Sequence, residues 1–501
     1  MSAESSIIVH DPVKLAAAKK GRAKSPHTPM ARTKIVATVG PACRHPEQLA
    51  DLIRAGVDVF RLNMAHAGWQ VQQEVVQTIR SVAAGLKSPT AILVDLAGPK
   101  IRLGELAQSE RAFALDEIVE FVRGEKPDDP MQLVVTYERL VDELEPGDRV
   151  MLADGTVGMV VLDKTANRVR CQVTQPGSVL SKQGVNLPGA KLSVPAMSDL
   201  DRENAIWAAR AGVEYISLSF VRHATEVRDL KQMIRGQNSL ARVVAKIEKP
   251  EALEHLEEIV EATDAVMVAR GDLGVEIDVA RTPVEQKRII SACNRRYKPV
   301  IVATQMLDSM RHSRTPTRAE VTDVANAILD GADACMLSGE TAIGDHPVEA
   351  VHMMHRIALA TEPLLKGRHV KPMAEQPIEG LHRVTEAVVY GMGQIAEALD
   401  ARLLVAATHS GATALAISKQ RRDIPVLGVT DSEIVLRQMS LFWGVTPIAG
   451  APAHNLEELI RHVEAWGTRE GKLKKGDHIV IVSAISLVAK GHNLLAVHEV
   501  R

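Results

Sequence analysis

Only four cysteines occur in the 501-residue chain, and Cys43, Cys171, Cys293 and Cys335 stand far apart with no CxxC spacing. That excludes a zinc knuckle or a disulfide framework and suits reduced thiols in the cytoplasm. Aromatic residues make up 3% of the sequence, which argues against the stacking platforms used to bind single-stranded nucleic acid. A formal net charge of −2 gives no bulk attraction to polyanions. No apolar run reaches membrane-spanning length, so neither nucleic acid nor membrane is an expected partner. Residues 1–30 lack a secretory apolar segment. They are basic and rich in Ala and Lys, with Glu4 and Asp11 among them, and read as a disordered extension, an organellar transit sequence being the minor alternative.

What the chain does have is 46% hydrophobic residues, enough to build cores for several domains. Eight short β-branched and apolar runs each end in a reactive residue. They are Lys34 to Val39, Val57 to Asn63, Thr90 to Asp95, Tyr215 to Phe220, Arg242 to Glu248, Ala265 to Asp272, Val300 to Thr304 and Ala334 to Glu340. Amphipathic stretches lie between most of them: Pro46 to Ala55, Asp199 to Ala211, Glu251 to Ala262, Arg318 to Asp330 and Pro347 to Thr361. Eight strands with right-handed helical crossovers predict a parallel (β/α)8 barrel over 31–97 and 191–365, with its site at the C-terminal strand ends. The alternation fails over 98–190, which turns to Val-rich alternating patterns and reads as an inserted β-barrel lid domain. From 376 to 501, a helix at Arg383 to Leu399 and the runs LLVAAT, PVLGVT and HIVIVS predict an open α/β domain.

The fifth and sixth runs carry the chemistry. Lys246, Glu248 and Asp272 put a fixed positive charge beside two hard oxygen ligands, a combination that suits Mg²⁺ or Mn²⁺ and phosphate. Gly271 and Asp272 lie in an ARGDLG turn whose amides could bind a carboxylate if a helical turn starts there. By themselves Lys246 could be a strand-end lysine reaching for water, and Asp154 and Lys182, in the turns LADGT and LSKQG, ordinary turn residues.

After residue 31 nearly the whole chain resembles pyruvate kinases. The matching segments are TKIVATVGPA, RLNMAH, DLAGPKIR, GVNLPG, AKIEK, MVARGDLGVEI, ATQMLDSM and TPTRAEVTDVANAILDGADACMLSGETA. The resemblance implies phosphoryl transfer from phosphoenolpyruvate to ADP, giving ATP and pyruvate, in a subunit that usually forms homotetramers. It implies Lys246 at the bridging oxygen, Arg61 and Arg102 on phosphates, Thr304 beside the enolpyruvate, and Pro41, Asn63 and His66 around the nucleotide. Asp154 and Lys182 would touch nucleotide phosphates on lid closure, with Gln183 where a second lysine is frequent. Ser338 and Glu340 could carry a proton from solvent through water.

Family members that need K⁺ bind it with an Asn, a Ser hydroxyl, an Asp and a Thr main-chain carbonyl, and carry a Glu in DTKGPEIR. This chain keeps Asn63 and Asp95 but has Ala65, Leu96 and Lys100 at the other positions. The expectation is that the Lys100 ammonium replaces K⁺. In the C-terminal domain THSGAT, with Thr408, Ser410, Gly411 and Thr413, opens a helix and suits a phosphate of a sugar-phosphate or nucleotide effector. The expected C-terminal Gly-rich loop is reduced to SLVAKGHNLL, with only Gly491 in that stretch. Lys419, Arg421 and Arg422 either assist the effector or form a solvated helix-end cluster. Two other readings stand beside the kinase: a catalytically silent phosphometabolite-binding regulator, and another metal-dependent barrel enzyme acting on phosphoenolpyruvate or pyruvate.

Overall fold

The computed structural model describes residues 30–65, 68–106, 110–124, 126–127, 129–153, 155–190, 193, 195–366, 382–450, 455–483 and 494–501. All eight apolar runs become strands: Lys34–Thr38, Val59–Asn63, Ala91–Asp95, Tyr215–Leu218, Arg242–Ile247, Ala265–Ala269, Val300–Ala303 and Ala334–Leu337. Each pairs in parallel with its neighbours in sequence, and the eighth closes on the first, with Lys34 opposite Ala334. The sixth and eighth strands end sooner than expected, because helices Arg270–Glu276 and Gly339–Ala342 begin within the predicted runs.

The strands are apolar throughout because both faces are covered. Ile35, Phe60, Ile92 and Val94 share a core with the surrounding helices. Their alternates Val36, Val59, Leu93, Tyr215, Val244 and Met267 belong to a second core, which runs on into Leu404, Met439 and Phe442 of the C-terminal domain. Helices Pro46–Ala55, Arg318–Asp330 and Pro347–Thr361 have their expected bounds. The second starts with a Thr317/Glu320 capping box and stops at Gly331, whose φ of 98° favours glycine. The expected helix Glu251 to Ala262 is instead two, Pro250–Glu254 and Leu256–Ala262. It breaks at His255, at φ −102° and ψ 22°, whose ring tilts against His223.

Between the third and fourth strands the chain forms a separate sheet domain with its own core around Phe113, Phe121, Val150 and Val173. It contains a six-stranded sheet and a two-stranded one. The C-terminal domain is a five-stranded sheet in the order Val445–Ala449, Val426–Thr430, Leu403–Ala407, His478–Ser483 and Leu494–Glu499, only the last antiparallel.

That domain seals the N-terminal end of the barrel. Lys34 Nζ donates to the Val445 carbonyl at 2.9 Å, Tyr215 Oη to that of Gln438 at 2.6 Å, and Arg242 Nη2 to that of Ser410 at 2.6 Å. The same seam corrects the reading of the basic cluster. Lys419 Nζ lies 2.5 Å from Asp333 Oδ2 and 2.9 Å from Asn294 Oδ1, and Arg421 Nη2 lies 3.0 Å from Asp333 Oδ1. Arg422 is buried against Glu397 and Gln420. None of the three is solvated: Lys419 and Arg421 form interdomain ion pairs with Asp333, and Arg422 pairs within the C-terminal domain.

Candidate active site

Asp95 organises the open mouth of the barrel. Arg61, on the second strand, donates to its Oδ2 from Nε at 2.8 Å and from Nη2 at 2.5 Å, while Nη1 reaches Thr38 Oγ1 at 3.1 Å. On the other oxygen Asp95 accepts from Ser217 Oγ at 2.5 Å and faces Lys246 Nζ at 3.6 Å. Burial alone would raise the Asp95 pKa, but Lys246, Arg61 and the Ser217 hydroxyl outweigh it and lower the carboxyl to about 2. The site therefore contains a permanent anion.

Lys246 is buried at the end of the fifth strand. Its Nζ lies 2.7 Å from Glu248 Oε1 and donates to Ser219 Oγ at 2.8 Å. Burial opposes its charge, yet Asp95, Glu248 and Asp272 together push its pKa above the ordinary lysine value, so it stays cationic. Glu248 is fully buried. Its pKa is raised by burial and by the nearby Asp272, against the pull of Lys246 and of the Phe220 amide, which donates to Oε2 at 2.8 Å. Glu248 Oε1 is met by Lys246 Nζ alone, which leaves it a buried lone pair beside a second carboxylate. That donor set fits a hard divalent cation completed by water and substrate oxygens.

Asp272 sits in the first turn of helix Arg270–Glu276, where amides lack partners within the helix. The Gly271 amide, however, donates to Thr304 Oγ1 at 2.8 Å, and that hydroxyl donates to the Ala303 carbonyl at 2.6 Å. Gly271 and Asp272 thus lie in a helical turn, the Gly271 amide resting on the Thr304 hydroxyl. Thr304 and Gln305 both have positive φ, 66° and 54°, a conformation that costs about 1–2 kcal/mol per residue. Arg270 holds this turn by donating from Nη2 to the Thr304 carbonyl at 2.7 Å, with Asp323 2.7 Å from its Nη1. In the eighth loop both oxygens of Glu340 accept main-chain amides, from Leu307 at 3.0 Å and Ser338 at 2.7 Å. Burial raises the Glu340 pKa. Ser338 Oγ is buried without a hydrogen-bond partner among the described residues.

The remaining expected residues divide between cleft and periphery. Asn63 Oδ1 accepts the Ala65 amide at 3.1 Å, and the Leu96 carbonyl accepts from Ser219 Oγ at 2.7 Å. Lys100 is exposed on a cleft wall shared with Phe220, Lys249 and Asp272, and its ammonium has no ion pair among the described residues. Arg102 donates from Nη1 to the Lys182 carbonyl at 3.0 Å, while Lys182 Nζ pairs with Glu105 at 2.7 Å in solvent. Pro41 is exposed in the turn after the first strand. His66, Asp154 and Gly491 lie outside the described residues. In THSGAT, Gly411 has φ 80° and starts helix Ala412–Lys419, and its amide donates to Thr408 Oγ1 at 3.0 Å. Thr413 is buried, and the Ser410 carbonyl is the one taken by Arg242.

Sequence reasoning missed Ser217, Ser219, the Phe220 amide and Arg270. A signal for the serines existed, because a period of two along YISLSF puts both on the inward face with the strand end pointing at Asp95 and Lys246.

With this geometry in hand, the comparisons agree. Residues 30–351 match the family model described as "Pyruvate kinase, barrel domain", and residues 386–498 match "Pyruvate kinase, alpha/beta domain". The chain is 41% identical over 463 residues to a pyruvate kinase of Agrobacterium vitis, covering 92% of this chain and 95% of that one. It is 38% identical over 475 residues to the pyruvate kinase of Geobacillus stearothermophilus, covering 94% and 80%. It also superposes on the crystal structure of a pyruvate kinase from Cryptosporidium parvum with a TM-score of 0.87 at 31% identity, covering 94% and 96%. The chain belongs to the pyruvate kinase family of phosphotransferases.

Proposed function

We propose that the chain transfers the phosphoryl group of phosphoenolpyruvate to ADP and does so without K⁺. The observation that carries the first part is the buried, permanently charged Lys246 between Glu248, Asp95 and Ser219. In the reaction a β-phosphate oxygen of ADP attacks phosphorus and the bridging P–O bond breaks. The electron pair stays on the enolate oxygen, and C3 then takes a proton to give pyruvate. Charge on the bridging oxygen and the transferred group grows next to Lys246 and Arg61, which are already oriented and desolvated. Glu248 and Asp272 would hold Mg²⁺ or Mn²⁺, which supplies further charge neutralisation at the phosphoryl and enolate oxygens. Thr304 borders the reacting carbon, and Ser338 offers an unpaired hydroxyl for a solvent proton path, with Glu340 fixing its loop. Arg102, Lys182, Asp154, Pro41, Asn63 and His66 surround the nucleotide.

K⁺ independence is supported by the state of the donors that would bind the ion. Asp95 is shared by Arg61 and Lys246, Asn63 Oδ1 by a main-chain amide, and the Leu96 carbonyl by Ser219. Lys100, with no ion pair among the described residues, lines the same cleft as Asp272 and supplies the monovalent charge. The loop Thr408 to Thr413 serves as an effector phosphate site. The exposed Val279 and Val284, beside a groove lined by Leu253, Ile277 and Arg281, offer an apolar face for assembly into a homotetramer.

The test is pyruvate formation from phosphoenolpyruvate and ADP with Mg²⁺ and tetramethylammonium as the sole added monovalent cation, followed by K⁺ titration. Full turnover is expected without K⁺, and Lys100→Glu should make turnover K⁺-dependent. Strict K⁺ dependence of the wild type would overturn the role of Lys100. No turnover in either condition, with Lys246→Met indistinguishable from wild type, would leave the silent regulator.

A further inference from the structure

We infer that Ser219 is the positioning residue that fixes the direction of the Lys246 ammonium, an inference that rests on the role of Lys246 proposed above. Ser219 follows the fourth strand and is 1% exposed. Its hydroxyl has a single proton, which goes to the Leu96 carbonyl at 2.7 Å, so it meets Lys246 Nζ, at 2.8 Å, with a lone pair. The Leu96 carbonyl is fixed in turn, because the Leu96 amide donates to the Ser217 carbonyl at 3.1 Å and its side chain is 1% exposed. The chain Leu96 to Ser219 to Lys246 is thus anchored at one end in barrel main chain and ends on the reactive nitrogen.

Counting donors shows what this achieves. An ammonium has three N–H groups. One goes to Ser219 and one faces Glu248 at 2.7 Å, while Asp95, at 3.6 Å, lies beyond hydrogen-bond distance and holds the charge without claiming a donor. The third N–H remains for a substrate oxygen. Glu248 is also a carboxylate assigned to the divalent cation, so its grip on Lys246 must weaken when that cation is present. Ser219 is neutral and spends its proton on Leu96, so a cation does not compete for it. It is the anchor that persists through the catalytic cycle.

The experiment is steady-state kinetics of Ser219→Ala and Ser219→Thr with Mg²⁺, alongside Lys246→Met and thermal unfolding of every variant. Loss of the anchor leaves the ammonium off target by a fraction of an ångström to one ångström. Ser219→Ala should therefore lower kcat on the order of 10- to 100-fold with the KM for ADP unchanged, while the melting temperature falls modestly because the buried Leu96 carbonyl loses its donor. Ser219→Thr, which keeps the hydroxyl, should recover most of the loss. Wild-type kcat in Ser219→Ala would overturn the inference. So would a kcat loss accompanied by a parallel rise in the KM for ADP, since that pattern marks a structural role. If Thr does not fold into the buried space, the split between kcat and KM in Ser219→Ala still decides. Lys246→Met separates the two claims: if it leaves kcat unchanged, the reading of Lys246 fails, whereas its inactivity beside an unaffected Ser219→Ala sinks the Ser219 role alone.

Discussion

The barrel has a buried lysine–carboxylate cluster at each end, and the two lysines are pushed in opposite directions. At the open mouth Lys246 faces Asp95, Glu248 and Asp272, and its pKa rises despite complete burial. At the sealed end Lys419 shares the single carboxylate of Asp333 with Arg421. Burial wins there, and its pKa falls to about 8. Residue type and burial are the same, so the ratio of anions to cations sets the direction. A surplus of carboxylates keeps a buried lysine charged at the open mouth, as the proposed chemistry requires. A surplus of cations makes an interdomain clamp that stays held only while Asp333 is there.

Removing one partner from each cluster gives the widest separation. Lys246→Met should lower kcat by on the order of 1000-fold or more with the smaller loss of melting temperature of the two, because Arg61 still pairs Asp95 and only Glu248 is left without its cation. Asp333→Ala should do the reverse. It strands Lys419 and Arg421 in a dry seam and frees the Val300 amide, which donates to Asp333 Oδ2 at 2.8 Å, a loss of about 3–5 kcal/mol. Calorimetry combined with kinetics on the residual folded fraction checks the pair. If Asp333→Ala kept full stability, the clamp reading would be wrong.

The two ends also differ in how readable they were. Eight apolar runs each ending in a polar residue foretold the barrel and placed Lys246, Glu248, Asp272 and Thr304 near one mouth, because strand period and crossover length constrain topology strongly. The direction of Lys246 was not readable, since Ser219 and Leu96 come from strands far apart in sequence and meet only on closure. Lys419, Arg421 and Arg422 look like a solvated charge run, but the packing of the C-terminal domain against Asp333 buries the first two and that domain's own helix Arg383–Ala398 covers the third. The break at His255 was hidden because both halves keep the same amphipathic period. Thr304 gave no sign of its positive φ, which is imposed by the hydrogen bonds from Arg270 and Gly271.

Asp95 sharpens the comparison by pH. Its carboxyl is lowered from 3.8 to about 2, so the folded state binds its proton more weakly than the unfolded chain. The resulting stabilisation is complete above the unfolded value and is lost as pH falls through about 4 towards about 2. That stabilisation is on the order of 2–3 kcal/mol. Asp95→Asn should therefore lie below wild type in urea midpoint at neutral pH, and the gap should narrow as acid is added. A gap that is constant or widens in acid would mean that Arg61 and Lys246 do not stabilise the ionised form.

The smallest effect is expected where charges stand in water. Lys182 pairs with Glu105 at 2.7 Å, but the side chains are 71% and 59% exposed, so solvent screens the contact and neither Lys182→Ala nor Glu105→Ala should move the melting temperature. Their kinetic effects should have opposite signs. Lys182→Ala removes the cation proposed above to meet the nucleotide and should raise the KM for ADP a few-fold at low salt, an effect that fades towards 1 M salt as the Debye length shrinks to about 3 Å. Glu105→Ala releases the same ammonium from its partner and should lower that KM. Both leave kcat alone, because a lysine on the lid adds binding that is equal in ground and transition states. A change in kcat from either variant would place Lys182 within reach of the transferred phosphoryl group and give the lid a part in the chemistry that the buried clusters otherwise divide between them.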